Sequence, residues 1–275
     1  MKYPGGKSYL ALFIKQLWEL SNSRRFTEPF VGSLAVPLCV DPGAALINDI
    51  NEHAINLHRH VKDGLVITQD FKNEEEYYYQ SRVRFNELVR TGRHNTKEAA
   101  ELYFYMNRNG FNGLSRFNKK GEFNVPFGRY NTVNYQKEFA SYSMAMTSWE
   151  IKCGDFEALE IKDDDFIYAD PPYDETFTGY SEDGFTWKDQ ERLVNWLSGH
   201  SGPVVTTNSA TNRVLQLYAN SGFNVYTFSA PRRISANGNR AKALEMFAVK
   251  NLALPSTSLA RLPSNFEKFS SSVAV

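Results

Sequence analysis

The chain of 275 residues has almost no cysteine, Cys39 and Cys153 being its whole complement. Two thiols are too few for a disulfide framework or a four-ligand zinc site, so a cross-linked secreted scaffold and a zinc-stapled module are excluded. Net charge is lacking as well, with 31 Lys and Arg facing 31 Asp and Glu. That balance excludes a histone-like polycation, an acidic tail protein and a basic membrane-surface helix. No run of about 18 apolar residues occurs, so no membrane-spanning helix is expected. The first seven residues carry no apolar stretch of the secretory kind, and the expected setting is reducing and cytoplasmic. What is present is core material: 42% hydrophobic and 14% aromatic residues exclude wholesale disorder. At roughly 100 to 200 residues per domain, this length fits one large domain or a main domain with an insertion.

Apolar spacing predicts an α/β protein. A Gly-rich loop, Gly5-Gly6-Lys7, feeds an amphipathic helix with Leu10, Leu12, Phe13, Leu17 and Leu20 on its apolar positions. Residues 25–30 read as a short strand, followed by the turn Val31-Gly32-Ser33 and a helical segment over 34–40. Residues 44–47 read as a second strand ending in Asn48-Asp49, with a helix over 52–61 behind it. From about residue 62 to 147 the alternation stops, and the chain becomes polar, aromatic and helical. Within this stretch the arms 114–117 and 122–125 flank Asn118-Lys119-Lys120-Gly121, the pattern of a β-hairpin. The α/β rhythm resumes with strands at 148–152, 165–169, 204–206, 225–228 and 244–249 and helices near 188–197 and 211–218. One sheet is therefore expected from residues 1–61 and 148–253, with 62–147 as an inserted domain. The Ser-rich residues 254–275 are expected to be a loosely ordered, flexible tail.

Asp170-Pro171-Pro172-Tyr173 is the most informative tetrapeptide, because it follows the apolar strand Phe166-Ile167-Tyr168-Ala169. In open α/β sheets ligands bind beyond the carboxyl ends of the strands. Two prolines fix the backbone and remove two amide donors, leaving carbonyls as acceptors beside a carboxylate. Such a corner suits a neutral amino group with two hydrogens to donate, and Tyr173 adds a face on which a planar base could stack. A rigid turn after a strand is the alternative meaning of the same residues.

With these motifs the sequence resembles the Dam-type DNA adenine methyltransferases, over nearly the whole chain from Lys2 to about Lys250. In family order come Lys2-Tyr3-Pro4-Gly5-Gly6-Lys7, Glu28-Pro29-Phe30-Val31-Gly32 and Asn48-Asp49-Ile50-Asn51. The segment from Asn107-Arg108-Asn109-Gly110-Phe111-Asn112-Gly113 through Leu114-Ser115-Arg116 to Pro126-Phe127-Gly128-Arg129 follows, then Asp170-Pro171-Pro172-Tyr173 and Arg232-Arg233-Ile234-Ser235-Ala236-Asn237-Gly238. The resemblance implies a Rossmann-like fold that binds S-adenosylmethionine, with residues 62–147 as a helical, hairpin-bearing target-recognition insertion.

It further implies cofactor contacts at Tyr3, Lys7, Phe30, Gly32, Asp49, Asp155, Phe156 and Asp170, and catalysis at Asp170, Pro171, Pro172 and Tyr173. Gly32 would let the backbone approach a ligand, and Asp49, ending the second strand, would accept ribose hydroxyls. Asp155-Phe156 reads equally as a helix N-cap followed by a core residue. Leu34 stands where the family usually has a second glycine, which predicts a different backbone shape at the methionine moiety. A phosphate loop is disfavoured, since the G-x-x-x-x-G-K-[ST] spacing is absent around Lys7-Ser8.

Local charge bears on a duplex-DNA partner. Residues 81–130 hold ten basic and four acidic side chains, a net of +6, whereas residues 151–200 hold four basic and thirteen acidic ones, a net of −9. A basic, aromatic segment with a hairpin suits backbone positioning and groove readout, although solvated faces produce the same pattern. Arg116 is the expected base reader, through a bidentate pair with guanine. The resemblance adds Leu114 and Pro126 as apolar base contacts and Phe111 and Asn112 at the space a flipped adenine vacates. Lys2 is expected at the DNA target, and Arg108, Asn118, Asn124 and Arg129 at phosphates. GATC is the implied target, read by a monomer without metal. His53, His58 and His60 read as surface residues of a helix, with no partner set for a metal. Three other functions share these features: amino methylation of cytosine or another sequence, a catalytically retired DNA-binding relative, and a nucleotide hydrolase.

Overall fold

Short apolar runs, each stopped by a turn, assemble into one mixed sheet in a computed structural model that describes residues 6–174, 184–230, 243–254 and 266–269. Its strands are β1 (Phe26–Glu28), β2 (Ala45–Asp49), β3 (Glu150–Cys153), β4 (Phe166–Ala169), β5 (Val204–Ser209), β6 (Asn224–Ala230), β7 (Ala243–Lys250) and β8 (Glu267–Lys268). The order across the sheet is β3-β2-β1-β4-β5-β7-β6-β8. Strands β3, β2, β1, β4 and β5 are parallel, and the pairs β5–β7, β6–β7 and β6–β8 are antiparallel. This is a Rossmann-like α/β sheet. Its order reverses between β1 and β4, the crevice where such sheets bind ligands. Strands β1, β2 and β4 are buried along their whole length, as central parallel strands covered on both faces must be.

Helices α1 (Ala11–Ser21), α2 (Ala35–Val40), α3 (Glu52–Lys62), α7 (Trp187–Ser198) and α8 (Asn212–Asn220) alternate with the strands. Asn51 starts α3 by accepting from the His53 and Ala54 amides, and Glu52 in the first turn with Arg59, His60 and Lys62 in the last complement the helix dipole. Thr186 and Asp189 form a reciprocal capping box on α7.

Between α3 and β3 the chain inserts α4 (Glu75–Arg90), α5 (Lys97–Asn109), a 3₁₀ turn over Phe111–Gly113, and α6 (Ala140–Ala145). Helix α5 is buried from Ala99 to Asn107 and packs between α3 and α4. The expected hairpin is reduced to one bridge, Phe117 with Phe123, plus the bonds Asn118 N–H to Glu122 O (2.9 Å) and Asn124 N–H to Arg116 O (3.1 Å). The ladder is diverted into α4. Asn86 on that helix takes both the N–H and the C=O of Phe123, while Tyr78 and Arg82 donate to the Val125 carbonyl.

Two further expectations are corrected. The tail is not loose at residues 266–269, where β8 pairs with β6 and Phe266 stacks on Tyr226 and Phe228. That ring covers an apolar edge, which offsets the entropy of ordering the segment. His53 and His58 are not surface residues, being 6% and 2% exposed. His53 stacks on Phe117 of the insertion (4.7 Å), while His58 Nε2 lies 2.8 Å from the Gly32 carbonyl. Among the described residues no cluster could hold a metal.

Burial pushes both imidazoles from their ordinary 6.5 down to about 4. A neutral buried histidine contributes stability that is complete above its ordinary value and is lost as pH falls through the folded value. Unfolding free energy should therefore fall from pH 6.5 towards 4, each histidine steepening the slope by about 1.4 kcal/mol per pH unit. His58→Gln should remove one proton from that slope, read by denaturant titrations at stepped pH. An unchanged slope would refute the assignment.

Candidate active site

The carboxyl ends of β1, β2 and β4 each finish on an acid: Glu28, Asp49 and, one residue past β4, Asp170. Sheet order makes them neighbours. Glu28 is 3% exposed, and its Oε2 is buried without a hydrogen-bond partner among the described residues. Burial, with the charges of Asp170 and Asp49 added to it, holds the Glu28 carboxyl well above the usual carboxylate range.

Asp49 organises the first turn. Its Oδ2 accepts the Gly32 N–H (2.9 Å) and its Oδ1 the Asn51 N–H (2.9 Å). Burial raises its pKa, and those backbone donors oppose the rise. Gly32 sits at φ 47°, a left-handed geometry that glycine accepts readily, and its carbonyl is held by His58.

Leu34 takes φ 67° and ψ 13°, a left-handed conformation that glycine adopts without cost and in which leucine bears strain. Its side chain is 3% exposed, and core packing holds it in place. Leu34→Ala should cost about 2–5 kcal/mol through the lost side chain. Leu34→Gly should be more stable than Leu34→Ala by about 1 kcal/mol, reversing the usual helix order of the two residues. Thermal melts of the pair decide it, and alanine as the more stable would refute the strain.

Asp170 accepts the Thr207 hydroxyl on Oδ1 (2.6 Å), and Lys7 Nζ lies 3.5 Å from the same oxygen. Burial raises the Asp170 pKa, Lys7 and Thr207 pull it back, and Glu245 adds to the rise. Lys7, only 4% exposed, also lies 3.6 Å from Glu245 Oε2 and 4.4 Å from the centre of the Tyr173 ring. Tyr173 and Tyr9 both donate their hydroxyls to Glu245 Oε2, at 2.9 and 2.8 Å.

The two prolines do not leave two free carbonyls, as the sequence suggested. Gln190 Nε2 donates to the Pro172 carbonyl (2.8 Å), and Asn208 fixes Gln190 in turn (2.9 Å). Helix α7 thereby holds the loop at its second proline. No described residue donates to the Pro171 carbonyl, which is left as the acceptor next to Asp170.

Phe30, Phe156 and Phe185 form an aromatic group with centroids 5.6 to 6.4 Å apart. Asp155 caps the 3₁₀ turn Phe156–Ala158 through the Glu157 amide, and Arg192 pairs with it at 3.0 Å while lying over the Phe156 ring. The cap and the core Phe are thus present, with an aromatic wall beside a carboxylate.

On the insertion Ser115, Phe123 and Val125 are buried, Leu114, Arg116 and Asn124 are half-buried, with Leu114 packed against the core, and Pro126 and Phe111 are exposed. Arg116 is held against Asn124 Oδ1 (2.7 Å). Asn118 shapes the turn, its Oδ1 accepting the Lys120 and Glu122 amides. Asn112 and Arg129 have positive φ, Arg129 pairs with Glu75, and Arg108 donates to the Asn134 carbonyl. Part of the basic excess is neutralised within the fold, because Arg84, Arg90 and Lys97 also meet glutamates. Asn51 ties this surface to the first turn: its amide N–H bonds Asp49, and its Nδ2 reaches Ser115 Oγ (3.0 Å) and the Tyr103 hydroxyl (3.3 Å).

Lys2, Tyr3 and the run Arg232 to Gly238 lie outside the described residues. Tyr9, Glu28, Thr207 and Glu245 escaped the sequence reading as site residues. Glu28 alone carried a signal, an acid ending an apolar strand.

The chain was also compared with known proteins. The profile described as D12 class N6 adenine-specific DNA methyltransferase matches residues 3–234. The chain is 33% identical over 264 residues to the Retron Ec67 DNA adenine methylase of Escherichia coli, covering 90% of each. It is 35% identical over 266 residues to the type II methyltransferase M1.LlaDCHI of Lactococcus lactis subsp. cremoris, covering 89% of this chain and 92% of that one. Identity to the DNA adenine methylase of Escherichia coli strain K12 is 31% over 267 residues, again 89% and 92%. With acids at three neighbouring strand ends, a glycine turn behind them and a profile match spanning most of its length, the chain belongs to the D12 class of N6 adenine-specific DNA methyltransferases.

Proposed function

We propose that this DNA adenine methyltransferase takes its methyl group from S-adenosylmethionine held at the ends of β1, β2 and β4, and delivers it to the amino group of a flipped adenine in duplex GATC. The observation that carries the cofactor assignment is the acidic cluster with the partnerless Glu28 Oε2 beside the Gly32 turn. A buried carboxylate oxygen without a donor is costly unless a ligand satisfies it. S-adenosylmethionine bears an ammonium and a sulfonium, and so matches a cluster of acids. In this site Glu28 would meet the ammonium, Gly32 the methionine backbone and Asp49 the ribose. Tyr3 and Lys7 would help shape the pocket, while Phe30, Phe156 and Asp155 would take the adenine ring. When bound, the cofactor supplies an electrophilic methyl group.

The chain's own residues orient the acceptor. Thr207 and Lys7 hold Asp170 Oδ1, and Oδ2 would meet the target. That oxygen and the Pro171 carbonyl accept the two amino hydrogens and direct the nitrogen lone pair at the methyl group, with Pro172 keeping the loop rigid. Lys7 covers one face of Tyr173, and the base stacks on the other. Positioning and the negative field of Asp170 lower the barrier as positive charge develops on the nitrogen. Burial makes Asp170 a better acceptor for the proton that the methylated nitrogen sheds. The base must leave the helix, since a stacked and paired amino group cannot meet the methyl in line.

The accessible Arg116 and Pro126, with half-buried Leu114 beside them, support placing the insertion in the major groove, with Arg116 on guanine. Phe111 and Asn112 would fill the space the adenine leaves, Arg108, Asn118, Asn124 and Arg129 would lie along the backbone, and Lys2 would approach the target. Action in the cytoplasm, on bacterial or phage DNA, fits the sources of its relatives, and the chain would act as a monomer. Incubation with labelled S-adenosylmethionine and plasmids with or without GATC, followed by mapping of the modified base, tests the proposal. Labelled adenine confined to GATC is expected; label on cytosine, or label indifferent to GATC, would overturn the target, and no label the reaction.

A further inference from the structure

Glu245 belongs to none of the motifs above, yet three side chains converge on it. It lies near the start of β7, in register with Ser209 at the end of β5 and Phe228 of β6, and so reaches the edge of the sheet where the parallel strands end. Its side chain is 13% exposed. One oxygen, Oε2, accepts the hydroxyls of Tyr173 (2.9 Å) and Tyr9 (2.8 Å) and lies 3.6 Å from Lys7 Nζ. The strand does not need a carboxylate there, because Met246, Phe247, Ala248 and Val249 supply its buried packing. Desolvating an acid at that position is unfavourable unless its partners repay it.

We infer that Glu245 is a positioning residue for methyl transfer, setting the plane of the Tyr173 ring and the place of the Lys7 ammonium. This rests on the reading that the flipped adenine stacks on Tyr173. A tyrosine ring held only at Cβ turns about two side-chain torsions, whereas a bond at the far end of the ring fixes its plane. Tyr9 bonds the same oxygen and gives the carboxylate a second anchor. Lys7 is shared between Asp170 and Glu245, at 3.5 and 3.6 Å. Without Glu245 the Lys7 ammonium would lie nearer Asp170, competing for the acceptor that the amino group needs.

Steady-state constants for Glu245→Ala, Glu245→Gln, Tyr173→Phe and the Glu245→Ala/Tyr173→Phe double variant test this. Glu245→Ala should lower kcat about 10²-fold with the KM for S-adenosylmethionine within about twofold of wild type, as misplacement of a reacting group does. Glu245→Gln keeps an acceptor for both hydroxyls and should recover about tenfold of that loss. On the Tyr173→Phe background Glu245→Ala should cost distinctly less than it does alone, because the hydroxyl that Glu245 accepts is already gone. DNA with 2-aminopurine at the target adenine should fluoresce more brightly in complex with Glu245→Ala than with wild type, since a mobile ring quenches it less. A kcat for Glu245→Ala within twofold of wild type, or full additivity with Tyr173→Phe, would overturn the inference. If Glu245→Ala does not fold, Glu245→Gln on the Tyr173→Phe background makes the same comparison, and full additivity there overturns it too. If wild-type binding leaves the 2-aminopurine signal unchanged while methylation proceeds, the stacking reading fails and takes the inference with it. A changed wild-type signal with unaffected Glu245 variants removes the inference alone.

Discussion

Asp170→Asn is expected to fold, to melt no lower than wild type at neutral pH, and to lose methyl transfer by about 10³-fold or more. The amide matches the carboxylate in shape, and its oxygen can still accept the Thr207 hydroxyl that Asp170 accepts at 2.6 Å. Its nitrogen, however, would present two donors to an amino group that itself donates. The acceptor pair is destroyed, and with it the negative field opposite the developing charge. Stability should move the other way. Burial and Glu245 raise the folded pKa of Asp170 against the pull of Lys7 and Thr207. A carboxyl with a raised folded pKa contributes stability below its unfolded value, which is lost as pH rises through the folded one. At neutral pH the wild type therefore bears the full cost of the charge, and Asn does not. Lys7 retains Glu245. Labelled-cofactor assays and melts at pH 7 and pH 5 check both halves: the stability gap should narrow at the lower pH. Retention of a tenth of wild-type activity would remove Asp170 from its role.

Arg25→Ala should cost about 3–5 kcal/mol of folding stability with no residue of the active site touched. Arg25 grips Asp165 with both ends of its fork, Nε to Oδ1 at 2.9 Å and Nη2 to Oδ2 at 2.7 Å, and also donates to the Glu160 carbonyl and Glu150. Asp165 is fully buried and further accepts the Thr27 hydroxyl and the Lys162 amide. These bonds join the residues entering β1 and β4, the two strands that flank the crevice. Removing Arg25 strands a carboxylate in the interior, and two remaining donors do not replace a guanidinium. Replacing both members with apolar residues, as in Arg25→Met/Asp165→Leu, should recover part of the loss, because a buried pair is worth little against good packing. Urea unfolding of the two single variants and the double one gives the coupling. A loss below about 1 kcal/mol for Arg25→Ala would mean that water or relaxation satisfies Asp165.

Much of the architecture was legible along the chain, for local reasons. Strand runs such as residues 166–169 are short, apolar and followed by proline, and helix starts such as Asn51 and Thr186 carry their own capping groups. The failures are those of non-local competition. The hairpin arms have strand composition, but Asn86 and Tyr78 on α4 claim the backbone groups their ladder would use. The histidines of α3 look solvated in a polar stretch, but α3 lies beneath the insertion, where Phe117 and Phe85 cover His53. Residues 266–269 sit in a Ser-rich tail, but one phenylalanine finds a sheet edge to cover.

The charge pattern shows the same division. A net of +6 over residues 81–130 is a property of the sequence, while pairing of Arg84, Arg90 and Lys97 with glutamates is a property of packing. By itself the sequence determined an alternating α/β chain with an insertion, an Asp-Pro-Pro-Tyr loop at a strand end and the order of motifs that carries the family. Those are encoded in neighbouring residues, whose periodicity and turn chemistry act over a few positions. Only the tertiary structure decided that the acids Glu28, Asp49 and Asp170 share one edge, that Leu34 bears a left-handed backbone, and that Tyr9 meets Glu245 across 236 positions of chain. Hydrogen bonds and ion pairs act over about 3 to 4 Å, and the order of strands in the sheet sets which distant residues come that close.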